Sequence, residues 1–362
     1  MSESLIVAKQ RDMWFDNAKG FLMITVVIGH LITNLVNTFE VFAFWSNYIY
    51  FFHMPVFAFL SGYLLKGRIQ RRDYVSVINK TLIPYFAAQL LIYLCGITLP
   101  HGVTALSVGR LYYSGLFSFL FPIYHLWYFW GIIIAFVFCI IVKAEKHPVI
   151  AFLISVALSL ASGFPEPIEL ARLSKVLGFL PFFVLGAIFT KPQIEFLKNK
   201  KLLIIPAIAV IASSGICIWN LREEGSLKSI FGMNTSYWDY ELDLNIYQAL
   251  GARAGFIAAA ILMTFAILAL CPKFKTPLAY LGKNSMYIYV LHVIPIAIMR
   301  HYHYETQFLH QLTTPWSKLL FVACGLLLCF ILSSKPIVKA FKPIFEPSFD
   351  IRKIGEYLKI KK

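Results

Sequence analysis

The chain alternates between long apolar stretches and short polar connectors that are mostly basic. Apolar runs long enough to cross a bilayer recur from one end to the other. They predict ten helices, at roughly residues 20–36, 41–65, 81–99, 122–142, 149–162, 176–189, 202–219, 247–270, 285–299 and 319–333. The fifth, sixth and ninth are short. The predicted fold is therefore all-α, a polytopic membrane bundle of about ten transmembrane helices. It divides into an N-terminal segment over 1–19, a membrane domain over 20–334 and a basic tail over 335–362. No small-residue cleavage site follows the first apolar run, which reads as a span rather than a removable leader. No repeat of 20–50 residues is evident, nor the paired interrupted helices of inverted-repeat transporters.

Composition agrees. The chain is 59% hydrophobic and only 14% charged, with a mean hydropathy of +0.71, which excludes an ordinary soluble domain. Charge then orients it. With the N-terminus inside, the cytoplasmic segments hold 25 of the 33 Lys and Arg residues, the outer segments hold 7, and Arg253 alone lies within a span. The acids divide nine and nine. This asymmetry predicts that both termini are cytoplasmic. It also explains the net charge of +15 by topology, which argues against a nucleic-acid partner. The basic tail reads as an orientation signal or a contact with anionic membrane lipids. The six cysteines are scattered through apolar runs without paired spacing and read as small core residues.

Against this background, ionisable residues inside the spans stand out, because they are costly in lipid and usually face a polar cavity. His30 lies midway along the first span, eleven residues after Lys19. Eleven helical steps are three turns plus ~20°, so the two share a face ~16 Å apart. Asp16, three residues before Lys19, can pair with it. A lysine here can also simply snorkel and set topology. A buried histidine can equally be satisfied by a backbone carbonyl. The second span carries His53 beside Pro55, then Ser61-Gly62, and leads into Arg68, Arg71, Arg72 and Lys80. That basic rim suits a phosphorylated ligand or is plain positive-inside charge. His125 and Trp127 open the fourth span within an aromatic belt, and Arg253 and His292 lie in the eighth and ninth. The outer loop over 220–246 mixes aromatic residues (Trp238, Tyr240) with acids (Glu223, Glu224, Asp239, Glu241, Asp243), a composition suited either to carbohydrate or to an ordinary membrane interface. His301, His303 and His310 are irregularly spaced with no completing carboxylates, so no metal site is read.

Taken together, these stretches resemble the acyltransferase-3 family of integral membrane O-acyltransferases, in particular its fucose 4-O-acetylase-like branch. The resemblance rests on Arg11 through Gly20, Gly29-His30, Phe52-His53-Met54-Pro55 with Ser61-Gly62-Tyr63, His125-Leu126-Trp127-Tyr128, and Leu281-Gly282 through Ser285, Tyr289 and His292. They occur in the family's order and span most of the chain. The family usually has an arginine eleven positions before the helix-1 histidine. Lys19 keeps the charge without the bidentate fork.

The resemblance implies about ten spans, an acyl-CoA donor, usually acetyl-CoA, reached from the cytoplasm, and a glycan acceptor. With a donor on one side, an acceptor on the other and a histidine between, catalytic roles are expected for His30, Lys19, Asp16 and His53. Donor contacts are expected from Lys19, Arg68, Arg71, Arg72 and Lys80, and acceptor contacts from His125, Trp127, Arg253 and His292. The resemblance also implies location in a bacterial cytoplasmic (inner) membrane. The expected function is transfer of acetyl from acetyl-CoA to a sugar hydroxyl of a surface polysaccharide or its lipid-linked precursor, with His30 as base or acyl carrier. Read from the residues without the resemblance, a glycan or lipid-linked-sugar transporter fits as well.

Overall fold

The computed structural model describes residues 11–98, 121–166, 172–221, 227–240, 243–301 and 313–346. Arg110, Glu223, Glu224, Glu241, His303, His310, the 100–120 loop and the tail beyond 346 lie outside them. Among the described residues the regular structure is helical throughout. The helices are α1 (Met13–Ile32), α2 (Glu40–Arg71), α3 (Tyr74–Thr98), α4 (Trp127–Ile141), α5 (Pro148–Ala161), α6 (Leu173–Ile188), α7 (Lys191–Leu197) and α8 (Lys200–Asn220). They continue with α9 (Lys228–Phe231), α10 (Ile246–Leu270), α11 (Pro277–Lys283), α12 (Ser285–Leu291), α13 (Val293–His301), α14 (Pro315–Leu332) and α15 (Lys335–Phe345).

Each apolar run falls on a helix. By length and composition, six helices can cross a membrane: Met13–Leu35, α2, Tyr74–Cys95, α8, α10 and α14. Counting two bent pairs as single spans raises this to eight: α6 with α7, bent by 103°, and Pro277–Lys283 with Ser285–Arg300, bent by 67°. The chain is a multi-pass membrane protein. Its rim agrees, since Ile205 on α8 and Leu320 on α14 are 77% and 67% exposed.

The helices extend beyond the apolar runs because their end turns are polar and capped. Asp12 accepts from the Trp14 N–H and starts α1 seven residues before its apolar run. Thr276 caps α11, with Pro277 in its first turn, where the sequence pattern gives only a connector. Arg72 ends α2 in the left-handed conformation, φ 52°.

Two glycine-lined contacts hold the centre together. A Cβ on Gly62 of α2 would lie 1.9 Å from the Phe183 carbonyl of α6, and one on Gly186 of α6 would lie 1.9 Å from the Phe59 carbonyl of α2. Gly20 on α1 and Gly282 on α11 meet the carbonyls of Leu278 and Asp16 in the same reciprocal way, at 1.9 and 1.8 Å. Helices in lipid associate through such close backbone approach, because lipid tails are as apolar as their side chains. The Lys66 ammonium donates to the Phe189 carbonyl (2.7 Å) and closes the end of α6. Two apolar clusters result. One is centred on Phe59, Phe179 and Phe183, the other on Met23, Tyr85 and Ile288, and Phe57 and Trp130 touch both.

Candidate active site

A cavity of ≈ 400 Å³ opens along the seam between the two clusters. That is the size of a small-molecule site. On α1, Lys19, Met23, Val26 and His30 recur every three to four residues and form one wall. Across from it, α2 contributes Tyr50, His53, Phe57, Ser61 and Leu64 at the same period. His125, Trp127 and Tyr128 enter from the start of α4, Lys175 and Phe179 from α6, and Ser285 and Tyr289 from α12.

Lys19 is held by Asp16, whose carboxylate lies 2.9 Å from the ammonium and also pairs with Arg11. The carboxylate is buried, whereas Lys19 is 21% and Arg11 47% exposed. The carbonyl of His30 accepts from Arg300, which fixes the last turn of α1.

The His30 ring is 5.3 Å from that of His292 and 6.3 Å from that of His125, centroid to centroid. His125 and His292 are 4.8 Å apart. His53 donates through Nδ1 to the Ile49 carbonyl (2.6 Å), and His292 through Nδ1 to the Ile288 carbonyl (2.9 Å). A carbonyl only accepts, so Nδ1 carries the proton in both rings and the neutral Nε2 is a lone pair. With Nδ1 already donating to the backbone, Nε2 accepts a hydrogen bond and has no proton to give a thioester carbonyl. That tautomer suits His53 and His292 to supporting a neighbouring imidazolium rather than to polarising a thioester. Both ring nitrogens of His125 and Nε2 of His292 are buried without a hydrogen-bond partner among the described residues. Buried nitrogens left unpaired are costly, by about 1–3 kcal/mol each, and a hydroxyl that bonds to them offsets that cost.

His125 is positioned through its backbone. The Tyr289 hydroxyl donates to its carbonyl. Gln89, wholly buried on α3, donates to the Phe121 carbonyl (3.0 Å) and accepts from the Ile123 N–H (3.2 Å), bracketing the approach to α4. Sequence reasoning passed over Gln89, which looks like one polar residue in an apolar helix. It also passed over Lys175, which reads as an outer-loop charge immediately before an apolar run. In the structure the Lys175 ammonium sits over the Trp127 ring at 5.0 Å, inside the cavity.

The structure thus brings Lys19, His30, His53, His125 and Trp127 to one cavity, with Asp16 behind Lys19 and His292 against His30 and His125. Arg68, Arg71, Arg72 and Lys80 do not line it. They lie at the end of α2 and the start of α3, with Arg68 half-buried and the others exposed. Arg253 lies elsewhere, fully buried between Gly163 and Gly178, donating to Ser162 Oγ (3.0 Å) with its guanidinium 5.5 Å from the Tyr237 ring centre. Among the described residues no cluster of His, Cys, Asp or Glu is arranged to hold a metal ion.

Comparison with known proteins gives a consistent answer. A family model described as an acyltransferase domain matches residues 12–334. A nodulation protein, NolL, of Sinorhizobium fredii is 31% identical over 225 residues, 56% of each chain. The NolL protein of Mesorhizobium japonicum is 30% identical over 190 residues, 50% of this chain and 48% of the relative. The inner membrane protein YcfT of Escherichia coli is 24% identical over 261 residues, 64% of this chain and 72% of the relative. The matched stretch thus spans about half the length of either NolL protein. No solved structure matches.

Proposed function

Since the chain belongs to the acyltransferase-3 family, we propose that it is a membrane O-acetyltransferase, moving acetyl from cytoplasmic acetyl-CoA to a sugar hydroxyl of a surface polysaccharide or its lipid-linked precursor. The observation that carries this reading is one cavity lined by Lys19 at one level and by His30 and His125 at another, with His292 packed against both histidines. Family membership favours chemistry over bare transport, and the resemblance to an inner membrane protein supports a bacterial cytoplasmic membrane. The lysine and arginine distribution orients the Lys19 end toward the cytoplasm.

In the proposed reaction the thioester enters past Lys19 and its carbonyl carbon comes to rest near His30. His30 takes the proton from the sugar hydroxyl as the oxygen attacks that carbon. The tetrahedral intermediate collapses, the carbon–sulfur bond breaks, and the leaving thiolate takes the proton back from the imidazolium. The Nε2 lone pair of His292 stabilises that imidazolium. Asp16 holds Lys19 in place. Trp127 lines the acceptor part of the cavity with Lys175 over its ring, and the lysine ammonium is the group offered to the sugar hydroxyls.

The test is incubation of the purified protein with acetyl-CoA labelled in the acetyl group, with and without a lipid-linked glycan fraction, beside His30→Ala. Label is expected in the glycan with wild type and not with the folded variant. Full activity in His30→Ala removes the role of that residue. No donor binding and no thioester loss under any condition removes the acyl-transfer reading.

A further inference from the structure

A second pocket lies next to α1, outside the cavity, and is lined by Glu195, Lys198, Asn199, Lys200, Lys201 and Lys273. Four lysines face one carboxylate. Two of them are already engaged: Lys198 bonds to Asp12 (2.7 Å) and Glu195 (3.0 Å), and Lys200 to the Leu270 carbonyl (2.9 Å). Lys201 and Lys273 are exposed and make no hydrogen bond or ion pair among the described residues. Asn199, which precedes the 21-residue α8, leaves its side chain out of the cap, so the positive end of that helix adds to the same field.

The pocket is tied to the N-terminal end of α1, where Lys19 stands. Asn17, buried two residues before Lys19, donates to the carbonyls of Pro272 (2.9 Å) and Phe274 (2.8 Å) and so brackets Lys273. The Lys198 ammonium lies 5.3 and 5.8 Å from the ring centres of Trp14 and Phe15. Phe15 stacks on Tyr63 (5.4 Å), whose neighbour Leu64 lines the cavity, and Lys19 follows Phe15 by one helical turn on the same face. Phe15, one helical turn before Lys19, thus lies between the Lys198 ammonium and the cavity-lining Lys19.

Coenzyme A has two unlike ends, a phosphorylated nucleotide and an apolar arm ending in the thioester. A cavity of ≈ 400 Å³ suits the arm and a sugar, not the nucleotide as well. We propose that the Lys198–Lys201 turn and Lys273 form the site for the phosphates of the donor's nucleotide, from which the arm passes Phe15 and Lys19 to reach His30. This rests on the donor being a coenzyme A thioester.

The test compares two donors with the full chain in nanodiscs: acetyl-CoA, and acetyl-pantetheine, which has the thioester and arm but no nucleotide. The Lys201→Gln/Lys273→Gln double variant is expected to raise the KM for acetyl-CoA about tenfold, as two solvent-accessible charge contacts give. The KM for acetyl-pantetheine should move by less than about twofold, and kcat should hold. Equal effects on both donors, or none on acetyl-CoA, overturn the site, as does the same selective loss seen instead in an Arg68, Arg71 and Arg72 to Gln variant. Equilibrium dialysis with labelled 3′-phospho-ADP needs no turnover. Binding by wild type and not by the double variant upholds the site even if neither thioester reacts, an outcome that counts against the transfer reading alone. Repeating the dialysis in nanodiscs with and without phosphatidylglycerol separates the sources of phosphate. A lysine pair that changes lipid retention and takes up no nucleotide overturns the proposal.

Discussion

Gly282→Ala should cripple the protein from a position that touches no substrate. The new methyl carbon would lie 1.8 Å from the Asp16 carbonyl oxygen and 2.9 Å from the Gly20 nitrogen. Real Cβ atoms essentially never come within 3.0 Å of such neighbours, so α11 must retreat from α1 by more than 1 Å. The obstacle is backbone and cannot swing aside. Overpacking of this kind costs about 1–3 kcal/mol, and the rigid neighbour argues for the upper end. The same retreat carries Ser285, Tyr289 and His292 away from Lys19 and His30. A misplacement of about 1 Å in a catalytic constellation can cost about 10²-fold in rate. Thermal unfolding in detergent should show a clearly lowered Tm, and the folded fraction should transfer acetyl about a hundredfold more slowly. Gly251→Ala on α10 is the control, since nothing lies within 4 Å of its added methyl. That variant should keep its Tm and its rate. A Gly282→Ala protein with wild-type Tm and rate would refute the close approach of α1 to α11 as the device that sets the site.

Three further outcomes follow from the same geometry. Asp16→Asn leaves Lys19 and Arg11 without their shared carboxylate. Discounted for the exposure of both cations, the loss is about 1–2 kcal/mol, and steady-state kinetics should show kcat/KM about tenfold lower, largely restored by Asp16→Glu. Gln89→Leu removes one buried and one partly buried hydrogen bond and strands the Ile123 N–H, costing about 2–3 kcal/mol, and should lower both Tm and activity through the displaced His125. Burial alone would lower the Lys198 pKa, but hydrogen bonds to Asp12 and Glu195 outweigh it and hold the group above the ordinary lysine value of 10.5. A raised folded-state pKa stabilises fully below the unfolded value and is lost only as pH rises through the folded one. The gap in Tm between wild type and Lys198→Met should thus stay constant across neutral pH and close only in strong alkali; closure near pH 7 would contradict the pairing.

The sequence by itself determined the helical membrane class, because apolar runs and basic connectors are local properties that lipid and water sort without reference to the rest of the chain. It also determined that Lys19 and His30 share a face, since one helix fixes both. The grouping of His30 with His125 and His292 needed the tertiary structure. They stand on three separate segments, and no periodicity links them. The Nδ1 bonds of His53 and His292 belong with the local features, because each ring meets the carbonyl four residues earlier in the chain. Arg253 and the Arg68–Arg72 rim show the limit from the other side. Charge in or beside a span marks a residue as unusual, but only packing decided that Arg253 fills a slot between two glycines while Lys175, an unremarkable charge in the sequence, points into the cavity over Trp127. Gln89, Gly62 and Gly282 act through backbone atoms far away along the chain. Their importance is set by the backbone atoms that come against them, a closeness that exists only once the helices have packed.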